Sequence, residues 1–393
     1  MYILPICIWK YIMTFFDTKK LDECIAILYF SSTCRFFRRK IYIENLPYKS
    51  QKYITNINYE RFIYLKNINL SYYKLAKIPP NIEYLIIENN LVRDLSNFKK
   101  LKKLKLSNFY IDKIPSTLEQ LTVISTNRMA GGKDKNIDLS STINLKKLSI
   151  KGNILVTNIS TTLTSLKITN NNRVSISNLK SLVYLKSQNT SINNVVFPAN
   201  IIKLELYDII VDISINLSLL KNIKYLSFGS CTLTYLDIEC LSTLEHLEIP
   251  NSSYDLKFKK SGNNIGPIAF PKNLTNLNIT NNKNILNSDI IHLTKLKILN
   301  CTDTLLSEYP TSIIRLSIRN CPTTILDYMK NLKYLDARGT NLISFPDTLY
   351  ELGINNENIP YKNLMNLTNL RKLFISKKLN VSLPNKKIQI IRI

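Results

Sequence analysis

The sequence predicts an α/β solenoid. Short parallel strands line its concave side, mostly irregular or 3₁₀ segments return on its convex side, and a small helical module precedes the stack. Two observations carry the solenoid. The order L-x-x-L-x-L/I recurs roughly sixteen times between about residue 57 and the end of the 393-residue chain. Central leucines of successive copies stand about 17 to 22 residues apart, which leaves little room for a full convex helix. The third observation excludes other folds: only 8 glycines occur, too few for glycine-rich nucleotide-binding architectures.

The unit is clearest in Pro271–Asn282, P-K-N-L-T-N-L-N-I-T-N-N. Leu277 and Ile279 share one face of a short strand, Asn276, Asn278 and Thr280 share the other, and Leu274 enters from the preceding turn. The Asn282 side chain can bond backbone where the chain leaves the strand. One copy cannot bury its own apolar face, so it requires stacked neighbours.

The copies resemble leucine-rich repeats, and the resemblance implies a horseshoe of parallel concave strands. They alternate. One type is led by proline, as in I-P-S-T-Leu118, F-P-A-N-Ile201 and F-P-K-N-Leu274; the other by an apolar segment, as in S-N-L-K-S-Leu182 and D-Y-M-K-N-Leu332. Proline lacks an N–H and suits a non-helical return, so the natural period is a pair of about 35 to 40 residues. The intervals Leu121–Leu148 and Leu247–Leu277 are stretched and rich in loop residues, and are expected to bulge as tolerated insertions.

Residues 1–45 read as a helical module and 46–393 as the solenoid. Leu4-Pro5 opens a stripe with Ile8, Ile12 and Phe15/Phe16, and Leu21, Cys24, Ile25 and Leu28 continue it on a second helix. L-P-x-x-x-W-x-x-I-M-x-F-F-D followed by S-S-T-C-R-F-F-R-R resembles an F-box. Ile6 and Cys7 stand where that family has an acidic residue, and the Leu21–Cys34 interval is longer than its norm. The resemblance implies that Leu4, Pro5, Ile8 and Ile12 face a Skp-family adaptor. On this reading the chain is a substrate-recognition subunit of a Skp/cullin-type ubiquitin ligase. The alternative is a plain cap over the first repeat, which solenoids require, leaving a stand-alone protein-binding module. A helical head on irregular leucine-rich repeats also resembles repeat proteins of large DNA viruses.

Lys+Arg 53 against Asp+Glu 28 gives a net charge of +25, which attracts acidic proteins, nucleic acid or anionic membrane. An AT-rich coding composition would supply the same lysines without selection. The first sixteen residues lack a basic start and a cleavage site and are too short to span a membrane, so no membrane role is expected. Seven cysteines in no regular framework suggest reduced thiols and an intracellular, cytoplasmic protein.

Catalytic chemistry is missing. Gly131-Gly132-Lys133 lacks the spacing and the Ser/Thr of a phosphate loop. His246 and His292 have no matching metal ligands, and no nucleophile elbow occurs. No enzyme activity and no cofactor are expected. The expected binding surface is the concave face built from the x positions: Tyr84, Lys103, Lys105, Lys147, Lys167, Tyr184, Lys186, Lys203, Tyr225, Arg315, Tyr334 and Arg371. Acidic residues such as Glu205, Glu248, Asp336 and Glu351 are fewer. Basic residues interleaved with tyrosine suit an acidic protein target. Nucleic acid fits the charge too, but lysine outnumbers arginine there and no nucleic-acid motif accompanies it.

Overall fold

The computed structural model describes residues 67–69, 81–88, 94–109, 111–126, 135–190, 196–208, 210–211, 217–230, 232–233, 238–250, 269–355, 364, 366–377 and 388–392. The helical module expected over residues 1–45, with Leu4, Pro5, Ile8 and Ile12, lies outside them. The chain divides into two compact units, Met1–Leu182 and Val183–Ile393.

In the amino-terminal unit the strands β1 (Asn67–Asn69), β2 (Tyr84–Glu88), β3 (Lys103–Ser107), β4 (Gln120–Ile124), β6 (Lys147–Lys151) and β8 (Ser165–Thr169) pair in parallel, each with the next turn. Register is set by the central leucines: Leu85, Leu104, Leu121, Leu148 and Leu166 stand side by side and are buried. The stretched Leu121–Leu148 interval is more than a bulge. Within it, β5 (Lys135–Asp138) pairs in parallel with β7 (Ile154–Thr157) of the following turn, a second ladder that buries Ile137, Ile154 and Val156.

The carboxy-terminal unit repeats the scheme with β9 (Tyr184–Gln188), β10 (Lys203–Tyr207), β12 (Tyr225–Gly229), β14 (His246–Glu248), β15 (Asn276–Asn278), β16 (Ile298–Asn300), β17 (Arg315–Ser317), β18 (Tyr334–Asp336), β19 (Glu351–Gly353), β20 (Lys372–Ile375) and β21 (Gln389–Arg392). All are parallel, each to the next. A two-residue ladder joins β11 (Ile210–Val211) to β13 (Thr232–Leu233). A single helical turn, α1 (Asn287–Ile290), lies in one return. Residues 251–268 of the second stretched interval lie outside the described residues.

The returns explain the alternation of copies. In proline-led copies one i→i−3 bond closes the turn: the N–H groups of Leu118, Ile201, Leu274 and Ile313 donate to the carbonyls of Pro115, Pro198, Pro271 and Pro310 at 3.2–3.3 Å. In apolar-led copies two such bonds follow one another. Leu179 donates to Ile176 and Leu182 to Leu179; Met329 donates to Leu326 and Leu332 to Met329. These are 3₁₀-type bonds that place a leucine at every third position. All three leucine-like side chains of such a return are buried, as Leu326, Met329 and Leu332 show.

In many copies a polar residue just before the first leucine ties one turn to the turn before. Hydroxyls do this at Thr117, which donates to the Leu101 carbonyl at 2.8 Å, at Ser312, to Leu296 at 2.8 Å, and at Thr348, to Leu332 at 2.6 Å. Asparagine amides do so at Asn144, to Ser116 at 3.1 Å, at Asn273, to Ser242 at 2.6 Å, and at Asn331, to Thr311 at 3.0 Å.

Most of the strands end at a left-handed corner. Two residues past the third apolar position, the backbone takes positive φ at Asn108, Asn170, Asn189, Asp208, Ser230, Asn281, Asp303 and Asn320, and at Gly152 and Gly339. Asparagine and aspartate tolerate this conformation better than other residues with a Cβ. The corner therefore accounts for many asparagines without many glycines. One residue further on, a buried polar side chain closes the turn. Asn282 donates to the carbonyls of Ile249 at 2.6 Å and Ile279 at 3.1 Å, as its spacing predicts. Asn171 donates to Gly152 at 3.0 Å and Ile154 at 2.7 Å. Elsewhere Thr304 and Thr340 donate to the carbonyl three residues back, at 2.8 and 2.7 Å, and the Cys321 thiol donates to the Cys301 carbonyl at 3.0 Å.

Cys301 fills a third apolar position and is fully buried, and burial pushes its thiol pKa up. Among the described residues Cys240, Cys301 and Cys321 are free thiols.

Candidate functional site

Strand alternation sends every second side chain out of the core, and the parallel register stacks those side chains into columns across successive turns. The two units carry different columns.

In the amino-terminal unit the outward positions of β2, β3, β4, β6 and β8 hold Lys103, Lys105, Lys147, Lys151 and Lys167 against one acid, Glu88. Tyr84 and Lys103 are neighbours in one column, with Gln120, Lys147 and Ser165 following. Lys113 pairs with Asp94 at 3.7 Å outside these strands.

In the carboxy-terminal unit the first column runs Tyr184, Lys203, Tyr225, His246, Asn276, Ile298, Arg315, Tyr334, Glu351, Lys372, Gln389. The second runs Lys186, Glu205, Ser227, Glu248, Asn278, Asn300, Ser317, Asp336, Gly353, Phe374, Ile391. Cations and rings are neighbours at Tyr184–Lys203–Tyr225 and Arg315–Tyr334, with Glu205, Glu248 and Asp336 one column over and Glu351 beside Lys372. Three of the four acids that looked sparse in the sequence meet lysine or arginine directly, and Glu248 meets His246.

At β9–β14 the result is a closed layer. Glu205 lies between Lys203, at 2.7 Å, and Lys186, at 3.2 Å. The Lys203 ammonium lies 3.9 Å from the Tyr225 ring centre, and that of Lys186 lies 4.6 Å from the Tyr207 ring. Tyr225 stacks on His246 at 4.6 Å, whose Nε2 is 3.2 Å from Glu248. The Ser227 hydroxyl donates to Glu248 at 3.3 Å and lies 3.2 Å from the Tyr207 hydroxyl. Glu205 and Ser227 face outward yet are only 7% and 0% exposed, because the flanking rings cover them. Gly229 makes this possible: a Cβ there would stand 2.4 Å from the Tyr207 ring.

The electrostatics follow. Burial raises the Glu205 carboxyl, but hydrogen bonds and charge from Lys203 and Lys186 more than offset it and leave the pKa lowered. The hydrogen bond from His246 holds Glu248 low. Burial, with Glu205 nearby, pushes the Tyr184 phenol up to about 12.

A second cluster surrounds β17–β20. The Arg315 guanidinium lies 4.0 Å from the Tyr334 ring centre, and Tyr334 meets Tyr350 edge-on at 6.2 Å. Asp336 is clamped by Arg319 (Nε at 2.6 Å) and by both Nε and Nη2 of Arg338 at 2.8 Å. Burial nonetheless leaves its pKa raised. Lys372 bonds Glu351 at 2.8 Å. Arg371 stands just before β20 and bonds the Thr368 and Leu370 carbonyls at 3.5 and 3.3 Å, away from the tyrosine column.

Sequence reasoning missed Tyr207, Arg319 and Arg338. Each directly follows the third core residue of its copy (Leu206, Ile318, Ala337), so extending the repeat frame by one outward position finds all three. His292 is exposed in a return and takes no part. Among the described residues no group of three His, Cys, Asp or Glu could hold a metal, and no helix is long and apolar enough to cross a membrane.

No protein-family model matches the sequence, and no curated protein is significantly similar to it in sequence. Among solved structures, the chain is similar to that of the TLR13–ssRNA13 complex, with TM-score 0.56, 16% identity, and 82% of this chain and 62% of that one covered. The fold is that of the leucine-rich-repeat proteins. Leucine-rich-repeat likeness at this identity speaks for fold alone, and the chain spans about 62% of the length of that neighbour. The functional domain of InlJ from Listeria monocytogenes (TM-score 0.45, 17% identity, 88% of this chain and 70% of that one) also matches. So does a plant peptide hormone receptor, RGFR1 in complex with RGF2 (TM-score 0.40, 16% identity, 79% and 61%).

Proposed function

We propose that the protein is a non-enzymatic interaction scaffold whose outward strand columns hold a protein partner. The observation that supports this is the aromatic–cation layer of the carboxy-terminal unit. Rings and guanidinium groups fixed by stacking and ion pairs lose little freedom on binding, and Tyr and Arg are the residues that dominate protein interfaces. Within that reading, residues 1–45 are an F-box-like module that docks on a Skp-family adaptor through Leu4, Pro5, Ile8 and Ile12, and residues 46–393 present a target to a ubiquitin ligase inside the cell. The likeness to repeat proteins of large DNA viruses would make that adaptor a host protein. The motivation is the Leu-Pro stripe placed directly before the repeats. A pull-down of purified Skp-family adaptor by the full chain tests it: the wild-type chain retains the adaptor and Leu4→Asp with Pro5→Ala does not. Equal retention, or none by the wild type, sinks the ligase role and leaves a stand-alone scaffold with a helical cap.

The lysine columns of the amino-terminal unit favour a second reading, nucleic-acid binding, and the TLR13 neighbour is a complex with single-stranded RNA. Only Tyr84 accompanies the lysines on those strands as a ring on which a base could stack, so the protein partner is preferred. Filter binding of single-stranded RNA at rising salt separates the two, since phosphate contacts weaken steeply with salt.

A further inference from the structure

A cavity of about 300 Å³ opens on the outward face of β17–β20. Its walls are Arg315, Tyr334, Arg338 and Phe374, with Gly353 between Asp336 and Phe374. Two features mark it as built for a ligand. First, the Arg315 guanidinium lies over the Tyr334 ring, 4.0 Å from its centre, and makes no side-chain hydrogen bond or ion pair among the described residues, so a planar fork of donors is placed there and left unmatched. Second, the charges do not cancel. Arg319 and Arg338 share one carboxylate, Asp336, and Lys372 is matched by Glu351. Arg315 and one further guanidinium charge remain in excess. The Asp336 carboxylate has both oxygens occupied and orients Arg338 rather than competing for a ligand.

Gly353 keeps the floor open. A Cβ there would press on Asp336 Oδ1 at 3.1 Å, and the only large apolar wall beyond it is the half-buried Phe374. The space is a carboxylate-sized cationic mouth beside an aromatic shelf. Its volume is at the lower end for ligand pockets and suits one or two side chains rather than a cofactor.

We infer that this cavity takes an acidic peptide segment of the partner, with a carboxylate on the Arg315 fork and a neighbouring aromatic or aliphatic side chain on Phe374. This rests on the reading of the strand columns as a protein-binding face. Planar bidentate recognition distinguishes arginine from lysine here.

The test uses the full chain and a dye-labelled octapeptide of alternating glutamate and phenylalanine, followed by fluorescence anisotropy. The same peptide with glutamine, and with phosphoserine, in place of glutamate completes the set. The glutamate peptide should bind, and the glutamine peptide should bind at least about tenfold more weakly. Arg315→Gln and Arg315→Lys should each weaken the glutamate peptide by about tenfold, since lysine keeps the charge but loses the stacked fork. Lys330→Gln, exposed in a return of the same unit and outside the strand columns, should leave it unchanged. Equal binding of glutamate and glutamine peptides, an unchanged affinity in Arg315→Gln, or no binding by the wild type overturns the assignment. Binding of the phosphoserine peptide alone overturns the carboxylate and assigns phosphate to the fork. If the peptide fails while the adaptor is still retained, this cavity is wrong and the ligase role stands. If peptide binding holds while the adaptor is lost, the reverse is true.

Discussion

Replacing Asn171 by alanine should cost the amino-terminal unit roughly 2–4 kcal/mol, from three hydrogen bonds at about 1 kcal/mol each and a desolvation penalty for the acceptor left behind. Asn171 is 3% exposed. Its amide donates to the Gly152 and Ile154 carbonyls at 3.0 and 2.7 Å, and its Oδ1 accepts the Arg173 N–H at 2.7 Å. Alanine removes all three bonds and leaves the Gly152 and Ile154 carbonyls and the Arg173 N–H without this partner in a buried turn. Threonine should recover part of the loss through a new bond, because Thr304 and Thr340 at the same repeat position donate to the carbonyl three residues back, which in this turn is that of Ile168 and is not used by Asn171. An internal control sits one turn earlier: Asn153 occupies the same repeat position but is exposed, so Asn153→Ala should change stability by less than about 0.5 kcal/mol. Urea titration followed by circular dichroism gives the ranking, with wild type and Asn153→Ala together, Asn171→Thr lower and Asn171→Ala lowest. If Asn171→Ala unfolds with Asn153→Ala, or if threonine is no better than alanine, burial of this amide is not what closes the turn.

Three further outcomes follow from the same geometry. Gly152→Ala should destabilise by about 2–4 kcal/mol in the same titration, because φ is +90° and the new Cβ would stand 2.1 Å from the Ser125 carbonyl oxygen. Ser230→Gly should do the opposite, adding up to about 1 kcal/mol by relieving a serine held at φ 51. Glu205→Gln should cost about 1–2 kcal/mol near pH 7, scaled down from a fully buried pair because Lys186 and Lys203 are 35% and 41% exposed. The folded pKa of Glu205 is lowered, so its stabilisation is present above the unfolded value of about 4.3 and is lost as pH falls through the folded one. Thermal melts from pH 7 to pH 3 should therefore show a smaller acid loss in Glu205→Gln than in the wild type. Asp336, with a raised pKa, acts in the opposite sense and is common to both chains.

Much of this was legible from the repeats. Spacing alone placed the strands, because a buried leucine every turn allows one register: Leu204, Leu226, Leu247 and Leu277 align as written. The return chemistry was legible in the prolines. Copies that lacked a third apolar residue were harder to read. Ser187 stands at that position and is buried only because its hydroxyl pairs with Thr190, a partner that no hydrophobic pattern reveals. The ladder beyond Leu121 was hidden because its strand, K-N-I-D, is too polar to announce itself. The candidate site was half legible. Outward positions could be counted along each copy, but which column neighbours which depends on register, and register decides that Glu205 neutralises two lysines. A net charge of +25 therefore describes the chain poorly. On the amino-terminal strands β2, β3, β4, β6 and β8 five lysines face one acid, whereas on the carboxy-terminal strands Glu205, Asp336 and Glu351 each pair with lysine or arginine.

The left-handed corner has a consequence for how such a chain can change over time. Because it falls at one fixed place in the turns that have it and asparagine or aspartate suffices to make it, a duplicated stretch of such sequence carries its own corner with it. Loss or gain of a whole turn leaves the remaining corners and registers intact. A gene poor in glycine codons can therefore lengthen or shorten this protein by whole turns, resizing the binding face without redesigning a single chain reversal.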